Sequence, residues 1–113
     1  MASTYLTRTF QSGGNRKKWT MSMWVRRTKV MTGVQQILFQ TYVSTYTFCP
    51  FDTSDRLHFQ DGSGGEKTTT MKFQDTGSYY HIVIAIDTDL ATADDRYKIY
   101  VNGQRITDFD TST

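Results

Sequence analysis

The sequence predicts an all-β protein, an antiparallel sandwich of two sheets, and three observations carry that prediction. Apolar and polar residues alternate at period two in "KKWTMSMWVRR" (17–27), "YYHIVIAID" (79–87) and "YKIYV" (97–101), the spacing of a strand with one face turned inward. Turn chemistry punctuates the chain at "SGGN" (12–15), "MTG" (31–33), "DTSD" (52–55), "DGSGG" (61–65) and "DTG" (75–77). Short strands separated by such turns at intervals near ten residues are the rhythm of a sandwich. Threonine, tyrosine and phenylalanine are plentiful, and these fit a pleated, half-buried surface.

Taken in order, Tyr5–Phe10 reads as a short first strand. In 17–27, Trp19, Met21, Met23 and Val25 share one face, while Thr20, Ser22, Trp24 and Arg26 share the other. Shorter strands follow at Gln36–Gln40, Tyr46–Phe51, Arg56–Gln60 and Lys67–Phe73. In 79–87, Tyr80, Ile82, Ile84 and Ile86 point one way, and Tyr79, His81, Val83, Ala85 and Asp87 the other. Both faces are apolar near the middle, which predicts a central strand covered on each side. The polar "TDLATADD" (88–95) reads as a loop with at most one helical turn. Then Tyr97, Ile99 and Val101 face inward, with Lys98 and Tyr100 outward. Asn102-Gly103 suits a type I′ turn, which needs positive φ at both central residues, so Gln104–Asp108 is expected to pair directly with Tyr97–Val101.

A chain of 113 residues is one domain, residues 1–113, able to hide roughly two-thirds of its unfolded surface around a single core. No apolar run approaches the ~20 residues of a membrane span, and "MASTYLTRTF" has no apolar stretch behind a basic flank. Cys49 is the only cysteine, which excludes an internal disulfide and a cysteine-rich zinc site and suits a reducing cytosol. The net charge of +2 is unevenly spread. Residues 1–30 carry Arg8, Arg16, Lys17, Lys18, Arg26, Arg27 and Lys29 and no acid, and the remainder balances at −5. Without a nucleic-acid reading motif, this basic arm reads as solvent-facing decoration that discourages edge pairing.

The order of the pieces carries a resemblance. "YLTRT", "GNRKKWTMSMWVRR", "QQILFQ", "DRLHFQ", "YYHIVIAIDT" and "DRYKIYVNGQRITDF" together resemble the laminin-G-like, concanavalin A-like lectin/glucanase jelly rolls of bacteriophage virion proteins, over residues 4–109. Tyr79 stands where many relatives have tryptophan. Relatives continue past the "YVNG" hairpin into further strands, one of which returns to pair near the first. Here "DFDTST" closes the sequence, so the resemblance implies a jelly roll lacking its C-terminal return strands. A fragment of a longer chain, a reduced sandwich, and pairing supplied by a neighbouring chain all stay open. An exposed sheet edge is a template for another strand, so an isolated monomer is expected to behave poorly and assembly to cover the gap.

Related folds include glycoside hydrolases. That chemistry needs two carboxylates facing one bond. Glu66, the only glutamate, lies in the "DGSGGEK" turn, and Asp87 and Asp89 alternate only at a strand end. No enzyme is expected, and a glycoside hydrolase is the distant third reading. His58 and His81 read as packed strand residues, and Cys49, beside Pro50 in an aromatic segment, as a buried thiol. Calcium, which several relatives bind, wants six to eight oxygens. Asp87, Asp89, Asp94 and Asp95 within one loop are the weak metal candidates, and no cofactor is otherwise expected. For a sugar, aromatic faces and planar polar groups are needed; Trp24, Tyr42 and Tyr46, with Asp52, Asp55 and Gln60, are the candidates. The resemblance thus implies a virion structural protein, made in the host cytoplasm. Its partners would be other virion proteins or copies of itself, through meeting of the basic and acidic halves, and a host-surface glycan, with no nucleic acid and no membrane. The alternative is a glycan-binding module recognising host polysaccharide.

Overall fold

A computed structural model describes residues 4–9, 11–15, 17–42, 44–62 and 64–112. The strands are β1 (Lys18–Val25), β2 (Gln36–Tyr42), β3 (Tyr46–Phe51), β4 (Arg56–Gln60), β5 (Glu66–Lys72) and β6 (Tyr80–Asp87). They are followed by a single turn of helix, α1 (Ala93–Arg96), and by β7 (Tyr97–Val101), β8 (Gln104–Arg105) and β9 (Phe109–Ser112). They form a four-stranded sheet in the order β1-β6-β7-β8 and a five-stranded sheet in the order β2-β3-β4-β5-β9, with every pairing antiparallel. The molecule is therefore the all-β sandwich that the alternation predicts. Among the described residues no helix is long and apolar enough to cross a membrane.

Inward parity runs as the sequence dictates. Tyr80, Ile82, Ile84 and Ile86 of β6 and Tyr97, Ile99 and Val101 of β7 are buried against Cys49, Phe51, Leu57, Phe59 and Phe73 from the second sheet. Register aligns Met21, Ile84 and Ile99 in one row across β1, β6 and β7. Each fully buried side chain of this size is worth about 1.5–3 kcal/mol, and facing inner layers of this kind are what hold two sheets together. Cys49 lies within that core, and burial pushes its thiol up to about 12. Native protein at pH 8 is expected to resist a thiol-specific reagent such as Ellman's, reacting fully only in denaturant. Rapid native labelling would contradict its placement.

Several expectations are corrected. Residues 4–9 of the predicted first strand Tyr5–Phe10 form no strand and are exposed; Phe10 itself lies outside the described residues. β-prone composition makes no strand where no neighbour offers a ladder of hydrogen bonds. β6 is central, between β1 and β7, but its outer face is not covered by a second layer. Val83 and Ala85 are only half-buried, shielded by Ser22, Thr20, Tyr100 and Lys98 alongside them in register.

The Asn102-Gly103 turn has the expected positive φ at both positions (51° and 80°), yet its outer strand is cut short. Only Gln104 and Arg105 pair with β7, followed by one bond from the Ile106 amide to the Ile99 carbonyl. The chain then crosses to the other sheet, where Phe109–Ser112 pairs with β5 as β9. Ile106 and Phe109 both pack on the core. Their odd spacing would put them on opposite faces of one flat strand, so burying both requires the chain to turn. "DFDTST" thus supplies a further strand where the resemblance implied that the C-terminal strands are lacking, but that strand joins β5 in the second sheet and not the margin of β1. The margin of β1 stays open among the described residues. Trp19, Met21, Met23 and Val25 face the core but are only half-buried.

The last correction concerns charge. Arg27, expected as surface decoration, is buried. The basic arm also meets acids of its own chain, in Lys17–Asp89 (3.7 Å), Lys18–Asp87 (3.3 Å) and Arg27–Asp55 (3.0 Å).

Candidate functional site

Residues of the second sheet that do not face the core lie together on its outer surface. The β2–β3 hairpin sets Tyr42 opposite Tyr46. Both are exposed (60% and 51%), with ring centroids 4.5 Å apart and planes tilted by 32°. Moving inward along the same face, Gln40 is the register partner of Phe48 and Ile37 of Pro50. Phe48 in turn pairs with Gln60 of β4, and Gln60 with Glu66 of β5. Next to Phe48, with ring centroids 5.4 Å apart, lies His58. The Nδ1 atom of His58 is 2.8 Å from the Thr68 hydroxyl and 3.6 Å from the Glu66 carboxylate. A shallow hollow of about 270 Å³ is lined by Gln35, Ile37, Gln40, Tyr46 and Phe48.

Such a surface offers rigid, solvent-facing rings and planar amides on a sheet whose backbone is already hydrogen-bonded. Tyrosine holds few rotatable bonds, so presenting it costs little entropy on binding. Ring faces can lie on the C–H face of a sugar, while the Gln40 and Gln60 amides can both donate to and accept from hydroxyls.

Of the sequence candidates, Tyr42, Tyr46 and Gln60 therefore share this face. Trp24 does not. It stands on the outer face of the four-stranded sheet, across the sandwich, 69% exposed and stacked on His81. The two aspartates have structural duties instead. Asp52 caps the β3–β4 turn, its carboxylate accepting the Ser54 and Arg56 amides and the Arg56 guanidinium. Burial opposes its ionisation, but these donors outweigh it and hold its pKa below the ordinary value.

Asp55 is fully buried. Its Oδ2 accepts from the Thr32 hydroxyl at 2.7 Å and the Gln74 amide at 3.2 Å, and its Oδ1 faces Arg27 Nη1 at 3.0 Å as an ion pair. The Thr32 hydrogen bond, joined by Gln74 and Arg27, overcomes desolvation and lowers its pKa. Arg27 completes the cluster by donating to the Phe73 carbonyl (2.7 Å) and to the Gln36 side-chain oxygen (3.0 and 2.7 Å), with its guanidinium 4.6 Å from the Phe51 ring centre. The packed face of Asp55 leaves nothing for a sugar.

The proposed metal aspartates do not converge. Asp87 and Asp89 pair with Lys18 and Lys17, and Asp94 and Asp95 on α1 face Lys67 (3.6 Å) and Arg105 (3.2 Å). Among the described residues no three His, Cys, Asp or Glu side chains stand together as metal ligands. Adjacent acids in a sequence make a cage only if the loop folds them around one point, and here each finds a cation first.

Ile37, Gln40, Phe48 and His58 were missed as members of the surface. The signal was present in parity: Phe48 shares the face of Tyr46 in "YTFCPF", and His58 that of Gln60 in "RLHFQ". What could not be read was which strands lie side by side.

The family model described as "Concanavalin A-like lectin/glucanases superfamily" (Laminin_G_3) matches residues 2–113. No curated protein and no solved structure matches the chain. A family match across almost every residue, joined to two antiparallel sheets packed face to face with little helix, means that this chain belongs to the Laminin_G_3 family of concanavalin A-like lectin/glucanase domains.

Proposed function

We propose that the chain is a lectin-like recognition module of a bacteriophage virion protein. It would be a surface or tail component that holds host-surface glycan on the outer face of its five-stranded sheet and meets its neighbours along open strand margins. The observation that carries the glycan reading is the exposed Tyr42–Tyr46 pair beside the Gln40, Phe48 and Gln60 row. The virion setting rests on the resemblance in "GNRKKWTMSMWV" and "DRYKIYVNG". Assembly contacts are supported by the half-buried inner side chains of β1, which another strand could cover by adding to that margin.

The module is proposed to bind without catalysis and without a metal, after synthesis in the host cytoplasm, with neither nucleic acid nor membrane as partner. Supporting this, Glu66 is engaged by His58, Asp110 by Arg56, and the loop aspartates by lysine or arginine. A hydrolase instead needs two carboxylates set across one bond.

A glycan array followed by calorimetric titration of the best hit tests the binding reading. Tyr46→Ala and Tyr42→Ala are each expected to weaken binding by about tenfold or more, as removal of an aromatic anchor does, with an unchanged melting temperature. A silent array, or hits indifferent to both substitutions, would overturn it. Assembly is tested by sedimentation velocity, where the expected result is association that grows with protein concentration.

A further inference from the structure

The four-stranded sheet turns a second face to solvent, across the sandwich from Tyr42 and Tyr46. Towards one margin of this face, near the end of the edge strand β1, stands Trp24, 69% exposed, with its ring 4.6 Å from that of His81 and tilted by only 22°. This pair is held from below. His81 Nε2 lies 3.0 Å from the Ser22 hydroxyl. The His81 amide donates to the Asn102 side-chain oxygen and the Asn102 amide donates to the His81 carbonyl, both at 2.9 Å, so the hairpin turn clamps the strand under the ring.

Around the pair the register sets Ser22, Val83, Tyr100 and Arg105 in one row, and Thr20, Ala85 and Lys98 in the next. Lys98 stands four residues along the strands from the stack, about 13 Å. Arg26 continues the outward parity of β1 beyond Trp24 and donates to the Thr76 carbonyl at 3.2 Å. The cations of this face are Lys18, Arg26, Lys98 and Arg105. Its strand carboxylate is Asp87, taken by Lys18, and Arg105 also reaches Asp95 from α1 at the margin. Val83 and Ala85 between them make a low floor.

We infer that this face is a second binding surface, for an anionic polysaccharide, separate from the tyrosine face. A flat, pre-positioned Trp24–His81 platform suits the C–H face of a sugar ring, and cations on either side of it along the strand suit carboxylate or sulfate groups on neighbouring sugars. Opposite charges across a contact steer the polymer to this side of the molecule. A single-stranded nucleic acid is the poorer match, because it asks for a basic groove with several successive stacking rings, and here one stacked pair sits on a shallow sheet. The inference goes beyond the proposed glycan site and stands or falls separately from it.

Titration of the intact chain by tryptophan fluorescence, with alginate, dextran sulfate, neutral dextran and poly(dT) as probes, decides the matter. The expected result is binding of alginate or dextran sulfate, weakened by added salt, and the preferred probe shows whether carboxylate or sulfate is the group read. By calorimetry of that probe, Trp24→Ala and Lys98→Glu should each lower affinity about tenfold, whereas Tyr46→Ala should leave it unchanged. Because Trp24 is exposed, its replacement leaves the circular dichroism as it was. Binding of neither anionic polymer, equal binding of neutral dextran, tighter binding of poly(dT), or equal loss with Tyr46→Ala would each overturn the inference. Equal loss with Tyr46→Ala would place the polymer on the tyrosine face, whereas the other outcomes leave the array result for that face as it stands.

Discussion

Arg27→Met should destabilise the protein by about 3–5 kcal/mol, the usual consequence of removing one partner from a buried ion pair. Small domains hold only about 5–15 kcal/mol in total, so the variant should approach the limit of folding, as urea denaturation would show. The reason lies in what the guanidinium satisfies. It answers the buried Asp55 carboxylate, the Phe73 carbonyl and the Gln36 side chain at once, tying the segment after β1 to β2, the β3–β4 turn and the end of β5. Met has a similar length but leaves those acceptors facing apolar surroundings. A second change checks the account. Adding Asp55→Leu to Arg27→Met removes the stranded carboxylate, and apolar replacements of buried pairs are often near neutral, so the double variant should recover much of the loss. A double variant as unstable as the single one would show that packing, not charge, dominates.

The same cluster sets an acid limit. Asp55 and Asp52 both have pKa values below the ordinary one when folded. Each therefore contributes stability that is fully present above the unfolded carboxylate value of about 3.9. That contribution is lost as pH falls through the lower folded value. The melting temperature should be level between about pH 5 and 7 and fall below about pH 4. Asp55→Asn should be less stable throughout and show a shallower acid decline.

Phe59→Ala should be comparably damaging, about 3–5 kcal/mol, since truncating a buried phenylalanine loses both transfer energy and the contacts around the cavity it leaves. Phe59 is fully buried in β4, with its ring 6.5 Å from that of Trp19 on β1 and 5.6 Å from that of Tyr97 on β7. It bridges the second sheet to two strands of the first. A loss of that size corresponds to a fall on the order of 10–20 °C in melting temperature for a chain of this length. Phe59→Leu should cost far less, because more of the volume is kept. Tyr46→Ala, at an exposed site, should stay within about 0.5 kcal/mol of wild type. Equal effects of Phe59→Ala and Tyr46→Ala would contradict the placement of the core.

Period-two alternation was enough to place nearly every strand, because one buried face imposes parity wherever it occurs. "RLHFQ" and "YTFCPF" became β4 and β3 at the predicted bounds, and the Asn102-Gly103 turn formed as its backbone demands. Tyr5–Phe10 misled because strand propensity describes a residue's fit to a sheet, and a sheet requires a neighbour that local sequence does not reveal. The candidate site was legible in part for the same reason. Tyr42 and Tyr46 flank one hairpin and meet by local geometry, whereas the company of Phe48, His58 and Gln60 depends on strand order. Trp24, a candidate alongside Tyr42 and Tyr46, stands on the far side of both sheets.

By itself, then, the sequence determined the class of fold, the inward face of each main strand, the hairpin and the inert position of Cys49. All of these follow from side-chain parity, turn sterics or local burial. Tertiary structure alone decided that Arg27 and Asp55 meet inside, that the chain crosses between sheets after Arg105, that the loop aspartates are shared out among separate cations, and that the exposed aromatic residues divide between two opposite faces. These are contacts between residues far apart in the chain, chosen by how the two sheets close over one core, and nothing in a single strand's pattern records which neighbour it will have.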